Sequence, residues 1–273
     1  FEYQLGREML FGVDYIKRES HDINAMMTSN LEDYDAYVAS DNPLGGGNVP
    51  FFELVRPQEN LITNPEDAKR NYDSVALRVA KRYSAGWSLD GSLVWSDLQG
   101  TVDYSYNGSS TGLEDLNGYF NNEGRLPGFS EWVFKVSGSV DLPWRSMLSG
   151  FYQYRSGEYW TPYATLDGLY YNDREPVFLE SRGSRQYPDR SVLDLRLQKD
   201  FGLGGEMVLA IFIDAFNVLD SDKVTDVNER WGWYVYDWRD HPEGSFWDPS
   251  SRFQEVQDIQ MPREIRIGAK FSW

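Results

Sequence analysis

Residues 191–201 read Ser191-Val192-Leu193-Asp194-Leu195-Arg196-Leu197-Gln198-Lys199-Asp200-Phe201, with leucine at every second position through the first half. A period of two puts Leu193, Leu195 and Leu197 on one face of an extended chain and Asp194, Arg196 and Gln198 on the other, whereas a helix would scatter both sets around its axis. The stretch is therefore a β-strand with one apolar and one polar face. Only Gly202-Leu203-Gly204-Gly205 separates it from residues 206–216, a second such segment that holds the longest purely apolar run, 207–213, before Asp214 interrupts it. Two strands this close in sequence form a hairpin.

The same alternation recurs outward from this hairpin, in segments of about ten residues. Residues 8–17 align Met9, Phe11, Val13 and Tyr15; residues 74–83 align Val75, Leu77 and Val79; residues 86–97 align Trp87, Leu89, Leu93 and Trp95. Residues 132–142 set Phe134, Val136 and Val140 against Lys135, Ser137, Ser139 and Asp141. Residues 145–155 are the least regular, and residues 263–273 close the set of eight. Tight links at 83–86, 143–144 and 202–205 take turns with connections of roughly thirty to fifty residues, so one end of the sheet is tight and the other carries every long loop. Soluble sandwiches usually turn every ~8–12 residues at both ends. Outer-membrane barrels combine short periplasmic turns with long outer loops and alternate apolar-out with polar-in residues. The expected fold is thus all-β: an antiparallel transmembrane barrel wall whose eighth strand ends on the periplasmic side.

Composition agrees. Aromatics reach 16% while the mean hydropathy is −0.57, a chain at once rich in rings and hydrophilic, as a wall wet on one side requires. The run 207–213 is far short of the ~20 apolar residues of a membrane helix. The net charge of −17 argues against a nucleic-acid partner. There is no cysteine, and the two histidines, His21 and His241, stand in no triad or metal spacing, so no catalytic residue, metal site or cofactor is assigned and no enzyme is expected. With the leucine face outward, Asp14, Arg78, Asp90, Lys135, Asp141, Asp194, Arg196, Asp214, Glu264, Arg266 and Lys270 line the lumen. Their mixed signs predict cross-strand pairing in water. Trp87, Trp95, Trp132 and Trp144 fall where interfacial girdle residues belong.

Several stretches resemble the TonB-dependent receptors, in particular the Oar-like group. Arg70-Asn71-Tyr72-Asp73-Ser74-Val75, Lys81-Arg82-Tyr83-Ser84-Ala85-Gly86-Trp87 and Trp95-Ser96 match its "R-x-Y-x-[AS]-hydrophobic … K-R-[FY]-S-x-x-W … W-S" landmarks. Asn121-Asn122-Glu123-Gly124-Arg125-Leu126-Pro127, Ser156-Gly157, Arg182-Gly183-Ser184-Arg185, Val192-Leu193-Asp194-Leu195-Arg196-Leu197 and Ile213-Asp214-Ala215-Phe216-Asn217-Val218-Leu219-Asp220 follow in order. The resemblance implies that residues 1–273 are the C-terminal part of a barrel of 22 strands in the family, with the plug domain and N-terminal strands outside this sequence. It implies ligand-gated import across the bacterial outer membrane, energised through the TonB complex. It also implies contact with outer-membrane lipid and lipopolysaccharide, and an unidentified small-molecule, glycan or peptide substrate. The alternatives are a surface or adhesion protein that grips a neighbouring protein with its loops, and a secreted soluble lectin or glycosidase.

Two sets of residues are site candidates. In Trp231-Gly232-Trp233-Tyr234-Val235-Tyr236-Asp237-Trp238-Arg239, the side chains of Trp231, Trp233, Tyr236, Trp238 and Arg239 offer planar groups for a sugar or aromatic ligand, or else form the loop's own small core or a partner contact. In the closing segment, Ile265, Ile267, Ala269, Phe271 and Trp273 share the lipid parity. A terminal aromatic on such a strand resembles the signal read by the barrel-assembly machinery, which makes Ile267, Phe271 and Trp273 the candidate assembly residues. On this reading the chain's end is authentic and its beginning lies further upstream, with Phe1 to Leu5 the tail of a preceding strand. The loops are acidic, with nine Asp or Glu against three Lys or Arg in 20–70 and ten against four in 217–262. Asp220-Ser221-Asp222-Lys223-Val224-Thr225-Asp226 lacks the glycine and closing glutamate of an EF-hand, so the acidity reads as solvated outer loops.

Overall fold

Ala85 and Gly86 both adopt left-handed backbone, φ 50° and 83°, and Ser84 faces Trp87 across them. This is a two-residue hairpin turn whose twist matches that of the flanking strands. Turns of this kind lay the chain into a meander. The computed structural model describes residues 1–21, 23–39, 41–102, 113, 115–172, 174–237 and 244–273.

Nine strands form the main path of a ten-stranded sheet: β1 Glu2–Leu5, β2 Met9–Ser20, β3 Arg70–Ser84, β4 Trp87–Gly100, β5 Trp132–Leu142, β6 Ser146–Arg155, β7 Arg190–Gly204, β8 Met207–Phe216 and β9 Glu264–Ser272. Each pairs antiparallel with the next, so this path is an up-and-down meander with β1 and β9 at its edges, and the two-residue strand Gly124–Arg125 adds to the loop end of β4 as the tenth. All eight expected segments are present, four of them longer by a few residues, and residues 2–5 form a strand, β1. The irregularity of β6 has a cause: Met147 and Phe151 occupy its polar face, where the registry sets them opposite Gln198 and Asp194.

Residues directly opposite each other share a face. Val13 faces Leu77, Leu77 faces Leu93, and Leu93 faces Phe134. Further along, Leu148, Leu197, Ile213 and Ile267 stand in one row. The other side carries Arg196, Asp214 and Arg266 in another, with Arg196 Nη2 donating to Asp214 Oδ2 at 2.8 Å. Cross-strand pairing of charges is thus observed. The apolar side has no cover: Leu197, Ile213 and Ile267 are 48%, 46% and 77% exposed. So continuous an exposed apolar surface marks a membrane or partner contact.

Charge bounds this face at both ends. At the loop end, Lys17, Asp73 and Asp97 stand in register beyond Tyr15, Trp95 and Trp132. At the turn end, Lys81 lies on the apolar face yet is nearly buried, because its Nζ donates to Ser84 O at 2.9 Å, Ser84 Oγ at 2.7 Å and Trp87 O at 3.0 Å. The ammonium also sits 4.1 Å from the Trp87 ring centroid. A lysine here turns its charge into the hairpin and leaves only its stem toward the apolar side. From Asp73 to Lys81 the strand advances about 27 Å, which at a barrel strand's tilt is about 20 Å of depth, close to a barrel's apolar band.

Candidate functional site

The long connections are not simply solvated. Strands Tyr34–Ala39 and Val49–Leu54 form a hairpin within the first, and Tyr163–Asp167 of the third pairs in parallel with Arg230–Val235 of the fourth. Alternation sends Val49 and Phe51 inward, where they meet Ala164, Leu166, Val177, Leu179, Tyr234 and Tyr236 in a buried cluster. Phe51 lies at its centre, with ring centroids 5.2 Å from Tyr234 and 5.3 Å from Tyr236. The largest buried apolar cluster of the described residues therefore belongs to the loops. The wall contributes no comparable one, because its apolar side faces outward.

Side-chain amides complete this body. One edge of Val49–Leu54 pairs with Tyr34–Ala39; on the other, Asn117 accepts from Phe52 N at 2.7 Å and donates to Phe52 O at 2.8 Å. Asn172 accepts from Leu54 N at 2.9 Å and also donates to Phe52 O at 2.8 Å. Two asparagines from the second and third loops thus stand in for a neighbouring strand, satisfying backbone groups that burial would otherwise orphan. Asp115 holds both in place. Its carboxylate accepts from Asn117 Nδ2 at 2.6 Å, Asn117 N at 2.8 Å, Asn172 Nδ2 at 3.0 Å and the Tyr34 hydroxyl at 2.6 Å. Burial and this carboxylate raise the Tyr34 hydroxyl above its ordinary range, so it stays a donor.

Two of the sequence landmarks meet here. Arg182 Nη1 donates to Asn122 Oδ1 at 2.6 Å and Thr101 O at 2.7 Å. The backbones touch as well: a Cβ on Gly124 would lie 2.2 Å from Arg182 O, and one on Gly183 would lie 2.5 Å from Arg125 O. Gly157 is tighter still, with Tyr187 O 1.7 Å from where its Cβ would stand. Gly124 and Gly183 permit close approach of backbone in an interlock of the second and third loops, and Gly157 does so within the third. Beside it, Tyr159 donates to Glu131 at 2.6 Å while Arg125 packs on its ring. Burial and the Glu131 carboxylate push the Tyr159 hydroxyl up to about 12. Trp95 Nε1 reaches the same carboxylate at 3.3 Å, tying the aromatic row of the wall to the loops.

The aromatic loop divides between the loop core and its other side, and a register shift beside Trp231 breaks the strand parity there. Tyr236 is buried in the loop core, with its ring 5.4 Å from that of Tyr37. Trp231 packs against the same core, edge-on to Trp247 at 5.8 Å. Trp233 points the other way, half-buried, with the Arg230 guanidinium 4.7 Å from its centroid. Trp238, Arg239 and His241 lie outside the described residues. For Trp231 and Tyr236 the observed packing matches the reading in which the rings form the loop's own core. In the acidic stretch, Asp220 Oδ2 is held by Arg263 Nη2 at 3.0 Å, and Asp226 Oδ1 accepts from Tyr187 at 3.2 Å. Sequence reasoning missed Asp115, Asn117 and Asn172, which carry no alternation signal.

The terminal candidates sit together. Ile267 and Phe271 lie on the apolar face of β9 and Trp273 just beyond it, 87% exposed, with the Phe271 and Trp273 rings 5.7 Å apart.

No family model matches the chain, and no curated protein matches it. Among solved structures, the ferric-catecholate import receptor Fiu from E. coli K12, in a closed form, is similar at 13% identity and a TM-score of 0.49, over 98% of this chain and 26% of that one. The outer membrane transporter YddB from Escherichia coli is similar at 15% identity and a TM-score of 0.47, over 83% and 28%. The chain thus spans about a quarter of the length of each.

Proposed function

We propose that this chain supplies wall strands and outer loops to a transport barrel of the bacterial outer membrane that imports its ligand with energy from the TonB complex. The observation that carries this reading is the two-faced sheet: an uncovered apolar side bounded by aromatic rows, and a charged side on which Arg196 pairs with Asp214 and Arg78 with Asp14 across strands. In hydrocarbon every backbone donor and acceptor needs a partner, so the free edges of β1 and β9 call for further strands to close a larger barrel. Long loops then stand outside, tight turns in the periplasm, and lipid and lipopolysaccharide surround the wall.

Amphiphile dependence tests the reading. The protein extracts from an outer-membrane fraction and stays monodisperse only in detergent or lipid; a monodisperse preparation with no amphiphile overturns it. The closing strand gives a second test, because Phe271 and Trp273 carry the proposed assembly signal. Deleting residues 271–273 from the full-length protein lowers its outer-membrane level while any assembled fraction binds ligand normally. Unchanged levels would remove the assembly role.

A further inference from the structure

Two buried polar atoms without a hydrogen-bond partner among the described residues, Nε of Arg155 and Oγ1 of Thr225, both belong to the wall of one cavity. It holds about 460 Å³ and opens where β6 and β7 reach the loop body, on the charged side of the sheet. Arg155 and Arg190 stand directly opposite each other there. Two guanidinium groups in register repel, and only one is neutralised: Arg190 Nη2 pairs with Glu158 Oε1 at 2.6 Å. No carboxylate pairs with Arg155 among the described residues. Leaving a guanidinium donor buried and unpaired is costly, and its planar fork matches a carboxylate. The cavity is of a size that takes small molecules.

We propose that this cavity binds the carboxylate of a small organic acid, with Arg155 as the principal partner and the Thr225 hydroxyl and Gln153 amide as lateral donors. Glu158 and the exposed carboxylate of Asp258 also line it. With two arginines and two carboxylates the lining is formally neutral, so a monoanion adds one negative charge beside Glu158 and Asp258 and a phosphate dianion adds two, at greater cost. The inference rests on the reading of the charged face as a water-filled lumen and narrows that reading to a substrate class.

The test is a calorimetric titration of the full-length protein in detergent micelles with N-acetyl-trialanine, its C-terminal amide and inorganic phosphate. The free acid binds, and the amide and phosphate bind at least about tenfold more weakly, the loss expected when a charge-assisted hydrogen bond is removed. Arg155→Gln costs the acid about tenfold or more, and Glu158→Gln strengthens it. Thr225→Val removes only a hydroxyl, and its loss of about threefold reads the site even if Arg155→Gln folds poorly. Equal binding of acid, amide and phosphate, no binding of the acid, or Arg155→Gln and Thr225→Val at wild-type affinity would overturn the proposal. Those results leave the wall reading intact, since that fails only with the amphiphile test.

Discussion

Arginine in place of Leu197 will destabilise the assembled protein by about 2–4 kcal/mol, the cost of a cationic side chain on the lipid face of a barrel near mid-depth. Leu197 lies at the centre of β7, opposite Leu148 and Ile213, and half of its surface is uncovered. In a soluble sheet so exposed a position tolerates arginine, often to advantage, because the charge meets water. The neighbouring residue is the control. Gln198 faces the charged side beside Met147 and Phe212, so Gln198→Arg changes stability little. Unfolding titrations in lipid vesicles measure both. Equal effects at 197 and 198 would mean that the two faces meet the same solvent.

Asp115→Ala will have the second large effect, confined to the loops. The carboxylate, buried at 2% exposure, receives four donors from Tyr34, Asn117 and Asn172; alanine leaves the Asn117 backbone N–H without its acceptor and takes one of two acceptors from the Tyr34 hydroxyl and from each asparagine amide. Such a loss costs about 3–5 kcal/mol, more than local packing in the loops can absorb. The amide edge on Val49–Leu54 then opens, and hydrogen exchange of Phe52 and Leu54, whose amides donate to Asn117 and Asn172, accelerates by orders of magnitude. Wall strands keep their protection. Unchanged exchange at Phe52 and Leu54 would show that the asparagines follow the strand rather than hold it.

The contrast between these two positions also shows what was legible in the sequence. Leu197 announces itself, since alternation in 191–201 is a local pattern and fixes strand, face and register in one step. The tight links give the meander for the same reason: a hairpin is decided by residues next to each other in the chain. Asp115, Asn117 and Asn172 act across the chain. Asn172 meets Leu54 from a different loop, and nothing periodic marks an asparagine that replaces a strand. Gly124 and Gly183 could be quoted as landmarks, but their mutual contact is a property of the folded loops. Lys81 is an intermediate case. Parity places it on the apolar face, and only the hairpin geometry reveals that the ammonium is spent on turn carbonyls.

The cysteine-free sequence allows a direct measurement of which face of β7 meets lipid. Spin labels on single cysteines at positions 193–198 of the protein in a bilayer report collision with oxygen, which concentrates in lipid, and with a nickel chelate, which stays in water. Oxygen maxima fall at 193, 195 and 197 and nickel maxima at 194, 196 and 198, a strict period of two set by the faces of β7. Oxygen maxima at 194, 196 and 198, or six positions equally open to the nickel chelate, would contradict it.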